Sequence, residues 1–434
     1  MEMYCSQIVK TLEADIAVVG AGSAGILAAV AAGKTGKKVI LVEKNGFLGG
    51  ISTAVLDTFN GFYAPGADSK IIVGGLPATV IERLIAKSAA IERSNTFGSG
   101  MVVTYNSEVL KCVYDDMINE SEINVLFHSF CTDVVLEDNK INSIIIDTKQ
   151  GLIKINAKIV IDASGDADVC CKAGVPFEKA GEIDVAQTLT TTFRLGNVNT
   201  EKALKVSRKE LVELMKAANK SGKYILPREE GSIHITPVNG VMHAIMTKLN
   251  GYDPCDAVSK SAAEIEGRKQ VLEYSRFLID NVPGYEDAKL IYISPEIGVR
   301  ETRRIYGEYR LTKDDVLSAA KFPDSIGLCA APIEDHSKGK GTNWEFIAKD
   351  KAYDIPFRTL IPQKIEALLV AGRCFSATHD AHASCRSVAQ TMTLGQAAGI
   401  AAALCVENKI LPRYLSVKEL QNKLIEQGAI LSMD

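Results

Sequence analysis

Two short stretches of this 434-residue chain concentrate side chains that could do chemistry. In ATHDAHASCRS, His379, Asp380, His382 and Arg386 follow closely on Gly372 and Arg373. Histidine carries protons near neutral pH, and arginine grips a carboxylate or steadies a developing oxyanion. The chain has only six histidines, so a pair in one loop is a concentration. The plainer alternative is that both hydrogen-bond the loop or cofactor phosphates. In GVRETRRIYG, Arg300, Arg303 and Arg304 could clamp an anionic substrate, or could pair with Glu296, Glu301 and Glu308. On a strand, Arg300 and Arg304 would share one face and Arg303 would take the other. Asp380 and Cys385 do not complete a ligand set with the loop histidines, and the ten cysteines contain no C-x-x-C, so no metal site is expected.

These side chains need a frame, and the frame shows first at DIAVVGAGSAGILAAV, residues 15–30. A β-branched strand runs into Gly20, Gly22 and Gly25, a small-residue helix follows, and KKVILVEK forms a second strand ending at Glu43. In such a βαβ unit the first glycine makes the tight turn, the second lets backbone approach a pyrophosphate, and the third lets helix pack on strand. The helix start offers unpaired N–H groups and a positive dipole end. Glu43, about 18 residues past Gly25, stands where an acid accepts hydrogen bonds from a ribose. The next residues, EKNGFLGGISTA, add a second bare loop at Gly49 and Gly50.

Further on, VLFHSF, TDVVLED and INSIIID read as short strands of a meander that ends at KIVIDASGDAD. Near the C-terminus, ALLVAGRCFSATHDAHASCRSVAQTMTLGQAAGIAAALCV is again strand, glycine, loop and small-residue helix. With SPEIGVRETRRIYGEYRLTKDDV and IPFRTLIP, these segments resemble the FAD-dependent oxidoreductases related to the flavoprotein subunits of fumarate reductase and of heterodisulfide reductase, over nearly the whole chain. The resemblance implies an α/β fold, a Rossmann-like FAD-binding domain of the glutathione-reductase type carrying an inserted α+β substrate domain. It implies transfer of electrons or hydride between a small-molecule substrate and bound FAD. It places Gly20, Gly22, Ser23, Ala24 and Gly25 on the pyrophosphate, Glu43 and Lys44 at the adenosine ribose, and Gly49 and Gly50 across from them. Cys131 would offer backbone to the adenine, with Ala163, Ser164 and Gly165 lining the same half. Gly372 and Arg373 would approach the pyrophosphate and ribityl chain, and a helix opening at Gln396, Ala397 and Ala398 would face the flavin pyrimidine edge. His379 or His382 would then be the acid/base, with Arg386 and Arg300 as anchors; if the loop histidines serve only the cofactor, the proton carrier falls to His234 or His243.

The sequence departs from heterodisulfide reductase in lacking iron–sulfur cysteine motifs, and it has no second G-x-G-x-x-G unit for NAD(P)H. Electrons are therefore expected to pass to or from a separate donor or acceptor. The motifs divide the chain into a first FAD-binding part (1–174), an inserted substrate domain (175–354) and a second FAD-binding part (355–434). Within the insert, residues 200–220 and 256–281 read as helices and 231–247 as strands; LSVKELQNKLIEQGAIL reads as a capped helix from Ser416. A net charge of -4 and a pI near 6.0 argue against nucleic acid as a partner. The N-terminus has no signal-peptide layout and the apolar runs look too short for a membrane span, so a cytoplasmic protein with mostly buried, reduced thiols is expected. Two other readings stay open: an FAD-binding tRNA-modifying protein, which the acidic balance disfavours, and a structural flavoprotein without turnover. The sequence does not define the oligomeric state.

Overall fold

Residues 16–19, at the end of β1 (Ile8–Val19), are an isoleucine, an alanine and two valines buried at the centre of the sheet. Such continuous apolar runs suit a parallel sheet covered on both faces. The computed structural model describes residues 7–65, 69–95, 100–337, 339 and 341–433. The glycine turn after β1 opens α1 (Ser23–Gly33), and the chain returns as β2 (Val39–Val42), parallel to β1. The remaining strands of this sheet are β3 (Asn124–Leu126), β4 (Phe130–Glu137), β5 (Lys140–Thr148), β6 (Gly151–Asp162) and β7 (Leu368–Val370). Their order is β3-β2-β1-β6-β5-β4, with β7 added in parallel to the end of β6 through Leu368 opposite Val160 and Val370 opposite Asp162.

Two parts of the chain some two hundred residues apart thus complete one sheet. The consequence for function is local. β1, β6 and β7 run the same way, and their carboxyl ends release three glycine-bearing loops, at Gly20, Gly165 and Gly372, along one edge. All three glycines have positive φ, +93°, +82° and +89°, the conformation that side chains resist.

A second, four-stranded antiparallel sheet is ordered Ser232–Ile235, Met242–Ile245, Phe193–Gly196, Lys289–Ile293. α2 (Ala257–Asn281) contributes Tyr274 and Phe277 to its separate core, which also buries Phe193 and Met215. Asp256 caps α2 by accepting from the Ser259 N–H at 2.7 Å. This second core draws on residues from Phe193 to Ala288, whereas Ile305, Ile326, Leu328 and Tyr353 pack into the main core, so the cores part company well before residue 354. The expected helix over 200–220 is broken into Thr200–Ala203 and Arg208–Lys220, because Ser207 caps a fresh start on the Glu210 N–H.

The C-terminal part continues through α3 (His379–Cys385) and α4 (Val388–Asn408). Gly395 and Gly399 let α4 press on α1: a Cβ at either would strike the backbone at Ala24 or Ala28. α4 is long and apolar enough to cross a membrane, contrary to the expectation that all apolar runs fall short, but its residues 388–405 are buried inside the fold. The last helix, Val417–Glu426, is capped by Ser416 as its sequence suggests. Five cysteines are buried, three are partly buried and Cys112 is exposed, all as free thiols; Cys5 lies outside the described residues.

Candidate active site

A cavity of about 340 Å³ opens where the three glycine loops emerge. Gly20, Gly22, Ser23, Ala24, Glu43, Lys44 and Gly50 line it, with residues 163–166, Gly372 and Arg373. The glycines of the first turn have different jobs. A Cβ at Gly20 would strike the Ala163 carbonyl and one at Gly25 the Gly20 carbonyl, so those two are needed by the protein's own packing. Gly22 has an ordinary φ of -71°, and a Cβ there would meet nothing within 4 Å. Neither strain nor packing demands a glycine at that position. A ligand lying against the bare backbone would.

The helix starts around the cavity are left uncapped. α1 begins after Gly22 and α4 after Ser387, neither with a side-chain cap, and Gly22, Ser387 and Val388 all line the cavity. First-turn N–H groups without intrahelical partners suit phosphate and other electron-rich groups. Glu43 is buried and fixed by the Ala21 N–H at 2.7 Å and the Asn45 N–H at 2.8 Å. Burial raises its pKa, which the two backbone donors only partly offset. Lys44 spans to Glu296 at 2.9 Å, tying the end of β2 to the segment after the second sheet.

The same cavity is lined by a second set of residues: Asn60, Arg93, Arg228, His234, Arg300, Glu334, His336 and Arg386. Three of its arginines each donate to a backbone carbonyl: Arg228 to Ile245 at 3.1 Å, Arg300 to Thr188 at 2.7 Å, Arg386 to Glu334 at 3.1 Å. Arg228 also reaches the Thr342 hydroxyl at 3.5 Å. Among the described residues none of the three makes an ion pair within 4 Å. Burial, with Arg386 and Arg228 adding to it, pushes the Arg300 pKa down to about 9. Glu334 lies beside them; burial would raise its pKa, but His336, Arg386 and Arg300 hold it at about 2. It is already engaged, at 2.9 Å, by His336.

Residues 15–424 match the family described as FAD dependent oxidoreductase. The chain belongs to that family. It is an FAD-dependent oxidoreductase with an FAD-binding Rossmann-like fold. Among curated proteins, it is 27% identical over 195 residues to a thiamine thiazole synthase from Pyrococcus horikoshii, spanning 42% of this chain and 71% of that protein. A thiamine thiazole synthase from Pyrococcus abyssi is 25% identical over 174 residues, 38% of this chain and 62% of that one. The p-nitrophenol 4-monooxygenase of Pseudomonas putida aligns in structure with a TM-score of 0.49 at 13% identity, over 96% of this chain and 85% of that one. The family assignment rests on the sequence match.

In this flavoenzyme the residues expected from sequence separate into three groups. Gly20, Gly22, Ser23, Ala24, Glu43, Lys44, Gly50, Ala163, Ser164, Gly165, Gly372, Arg373, Arg300 and Arg386 line the cavity. Gly25 and Gly49 stand just behind it; Gly49 braces the first turn by donating to the Ala21 carbonyl at 2.9 Å. Cys131 lies outside the lining, its thiol turned to the Asp133 carbonyl. The expected helix start at Gln396, Ala397 and Ala398 is corrected: α4 begins eight residues earlier, and those three are buried in its middle, with Gln396 accepting from the Leu76 N–H.

Arg373 faces the cavity while its guanidinium holds Asp166 at 2.6 Å. The arginine cluster also divides. The strand covers only Arg303–Ile305, so Arg300 precedes it and does not share a strand face with Arg304. Arg304 is buried between Glu178 and Glu301, and Arg303 pairs with Asp168 at 3.0 Å. His379 sits between Glu301 and Asp335; burial would lower its pKa, yet those carboxylates lift it to about 9. His382 is buried behind Arg373, donating from Nε2 to the Arg373 carbonyl at 2.8 Å, and burial drives it to about 3. Neither lines the cavity. Arg228, Glu334 and His336 were not singled out from the sequence, because no spacing relates them to the glycine motif.

Proposed function

We propose that this flavoenzyme oxidises or reduces a small carboxylate held by Arg228, Arg300 and Arg386. The observation that supports this is one stretch of the cavity wall, where the Arg228, Arg300 and Arg386 guanidiniums have no carboxylate within 4 Å among the described residues and Glu334 beside them is already engaged by histidine. Gathering like charges away from water is unfavourable unless an anion completes the group, and guanidinium forks match carboxylates in two-point contact. FAD, bound along the glycine loops, supplies the two-electron chemistry. Glu43, the Gly22 backbone and the α1 start would hold its dinucleotide portion. The arginines would orient the substrate, and the uncapped start of α4 would favour electron-rich groups beside it.

Electrons then pass to or from a separate partner, since the chain carries one nucleotide-binding glycine unit and no cluster motif. The protein family favours this reading over the tRNA-modifying and non-catalytic alternatives. The test is anaerobic mixing with a panel of hydroxy- and amino-carboxylates and their amides, followed by flavin absorbance. Bleaching by acids and not by the matching amides is expected; equal bleaching by neutral compounds would contradict the reading.

A further inference from the structure

The mechanism needs a proton carrier, and the two loop histidines do not reach the cavity. Two histidines do line it, His234 and His336. His336 has both ring nitrogens occupied, by Glu334 at 2.9 Å and by Thr342 Oγ1 at 3.0 Å. His234 differs. Its Nε2 lies 2.8 Å from Asp57 Oδ1, and its Nδ1 is buried with no hydrogen-bond partner. Asp57 is buried too, and its second oxygen is approached at 2.9 Å by Nδ1 of His243. The two imidazoles stack 5.3 Å apart at 11°, which fixes the His234 ring plane. His243 itself is fully buried and does not line the cavity.

A carboxylate on one ring nitrogen selects the tautomer that leaves the other nitrogen as a lone pair. An unpartnered polar atom inside a protein is costly, and a donor brought by a bound molecule would relieve it. We infer that His234 is the catalytic acid/base of this flavoenzyme, acting through Nδ1, and that Asp57 is its positioning residue. The inference rests on the small-carboxylate reading above. In the oxidative direction, bound FAD would take up the substrate's C–H hydrogen with its electron pair. The proton of the adjoining O–H or N–H goes to His234 Nδ1, and a C=O or C=N bond forms. Asp57 compensates the imidazolium until that proton passes to water, while the electron pair leaves with the separate acceptor. Burial, outweighing the pull of Asp57, holds His234 below its ordinary pKa, with His243 and Arg93 acting in the same sense, so the ring is neutral and ready to accept.

The test uses holoenzyme with ¹⁵N-labelled imidazoles, the His234 signals being assigned as those missing from His234→Gln or, if that variant does not fold, by elimination, as the signals that no Gln replacement of another histidine removes. At neutral pH, Nδ1 of His234 is expected to be unprotonated and Nε2 protonated. Asp57→Asn, whose amide can donate to Nε2, is expected to move the proton to Nδ1, with FAD content unchanged. With the carboxylate that bleaches the flavin, kcat should fall roughly 10²- to 10⁴-fold in either variant and KM should change little. A protonated Nδ1 in the wild type, or a tautomer indifferent to Asp57→Asn, overturns the inference. So does wild-type turnover in His234→Gln. Acetate serves as the probe anion: a shifted His234 Nδ1 signal supports both readings. No response to acetate, with the tautomer as expected, overturns the carboxylate reading and leaves His234 supported.

Discussion

Gly22 and Gly25 are three residues apart and fail differently when replaced. A Cβ at Gly22 meets nothing within 4 Å, so Gly22→Val should fold with stability within about 1 kcal/mol of wild type. It should nevertheless emerge without FAD, because valine fills the space beside the backbone. Gly25→Val must push against the Gly20 carbonyl and should lose roughly 1–3 kcal/mol or fail to fold. Denaturant unfolding together with flavin content of both variants separates the two roles; a fully flavinated Gly22→Val would refute the placement. At the anion wall, Arg386→Lys keeps the charge and loses the planar fork, so KM should rise roughly 10- to 100-fold with kcat less affected. At this scale the sequence was legible wherever a residue's job is set by its immediate neighbours. The glycine spacing and Glu43, which the fold brings to one cavity, are such cases. Arg228 and His234 were not, or only as a fallback, because their place at the cavity is made by a separate sheet that no local pattern connects to the glycine turn.

Secondary elements were legible where caps and periodicity agree. Ser416, Asp256 and the strand before Gly20 all stand where the pattern suggests. The start of α4 was misplaced for a physical reason. Small residues run from 395 to 403 without a helical face to count, and the S-x-x-Q signal at Ser387 and Gln390 is not used as a capping box. Gln390 donates instead to the Gly61 carbonyl at 2.9 Å and the Leu328 carbonyl at 3.2 Å. The contact between α1 and α4 gives an element-level prediction. Gly399→Val should force the two helices apart and lower unfolding free energy by about 1–3 kcal/mol, measured by denaturant titration. An unchanged midpoint would show that the helices do not meet so closely.

At the scale of the molecule, the buried ionic cluster that joins His379 to Glu301 shapes the pH range of stability. His379 is held above its unfolded value of about 6.5, up to about 9. Its contribution is therefore complete below 6.5 and disappears as pH rises through 9, and it amounts to at most roughly 3 kcal/mol. Glu301 is held at about 2, so its contribution is present above 4.5 and lost as pH falls through 2. His379→Gln should flatten the alkaline slope of stability between pH 6.5 and 9; an unaltered slope would contradict the ion-pair role. That the C-terminal strand joins the first sheet was legible because both parts of the chain carry glycine loops, whereas the extent of the second core was not, since its last strands carry no boundary signal. The central claim is that one cavity joins the dinucleotide loops to the arginine wall. Titrating flavinated protein with malonate while following the visible flavin spectrum tests this most directly. The account predicts a saturable perturbation in the wild type that is weakened at least 10-fold in Arg300→Gln with FAD content intact; no perturbation, or one indifferent to Arg300, would contradict it.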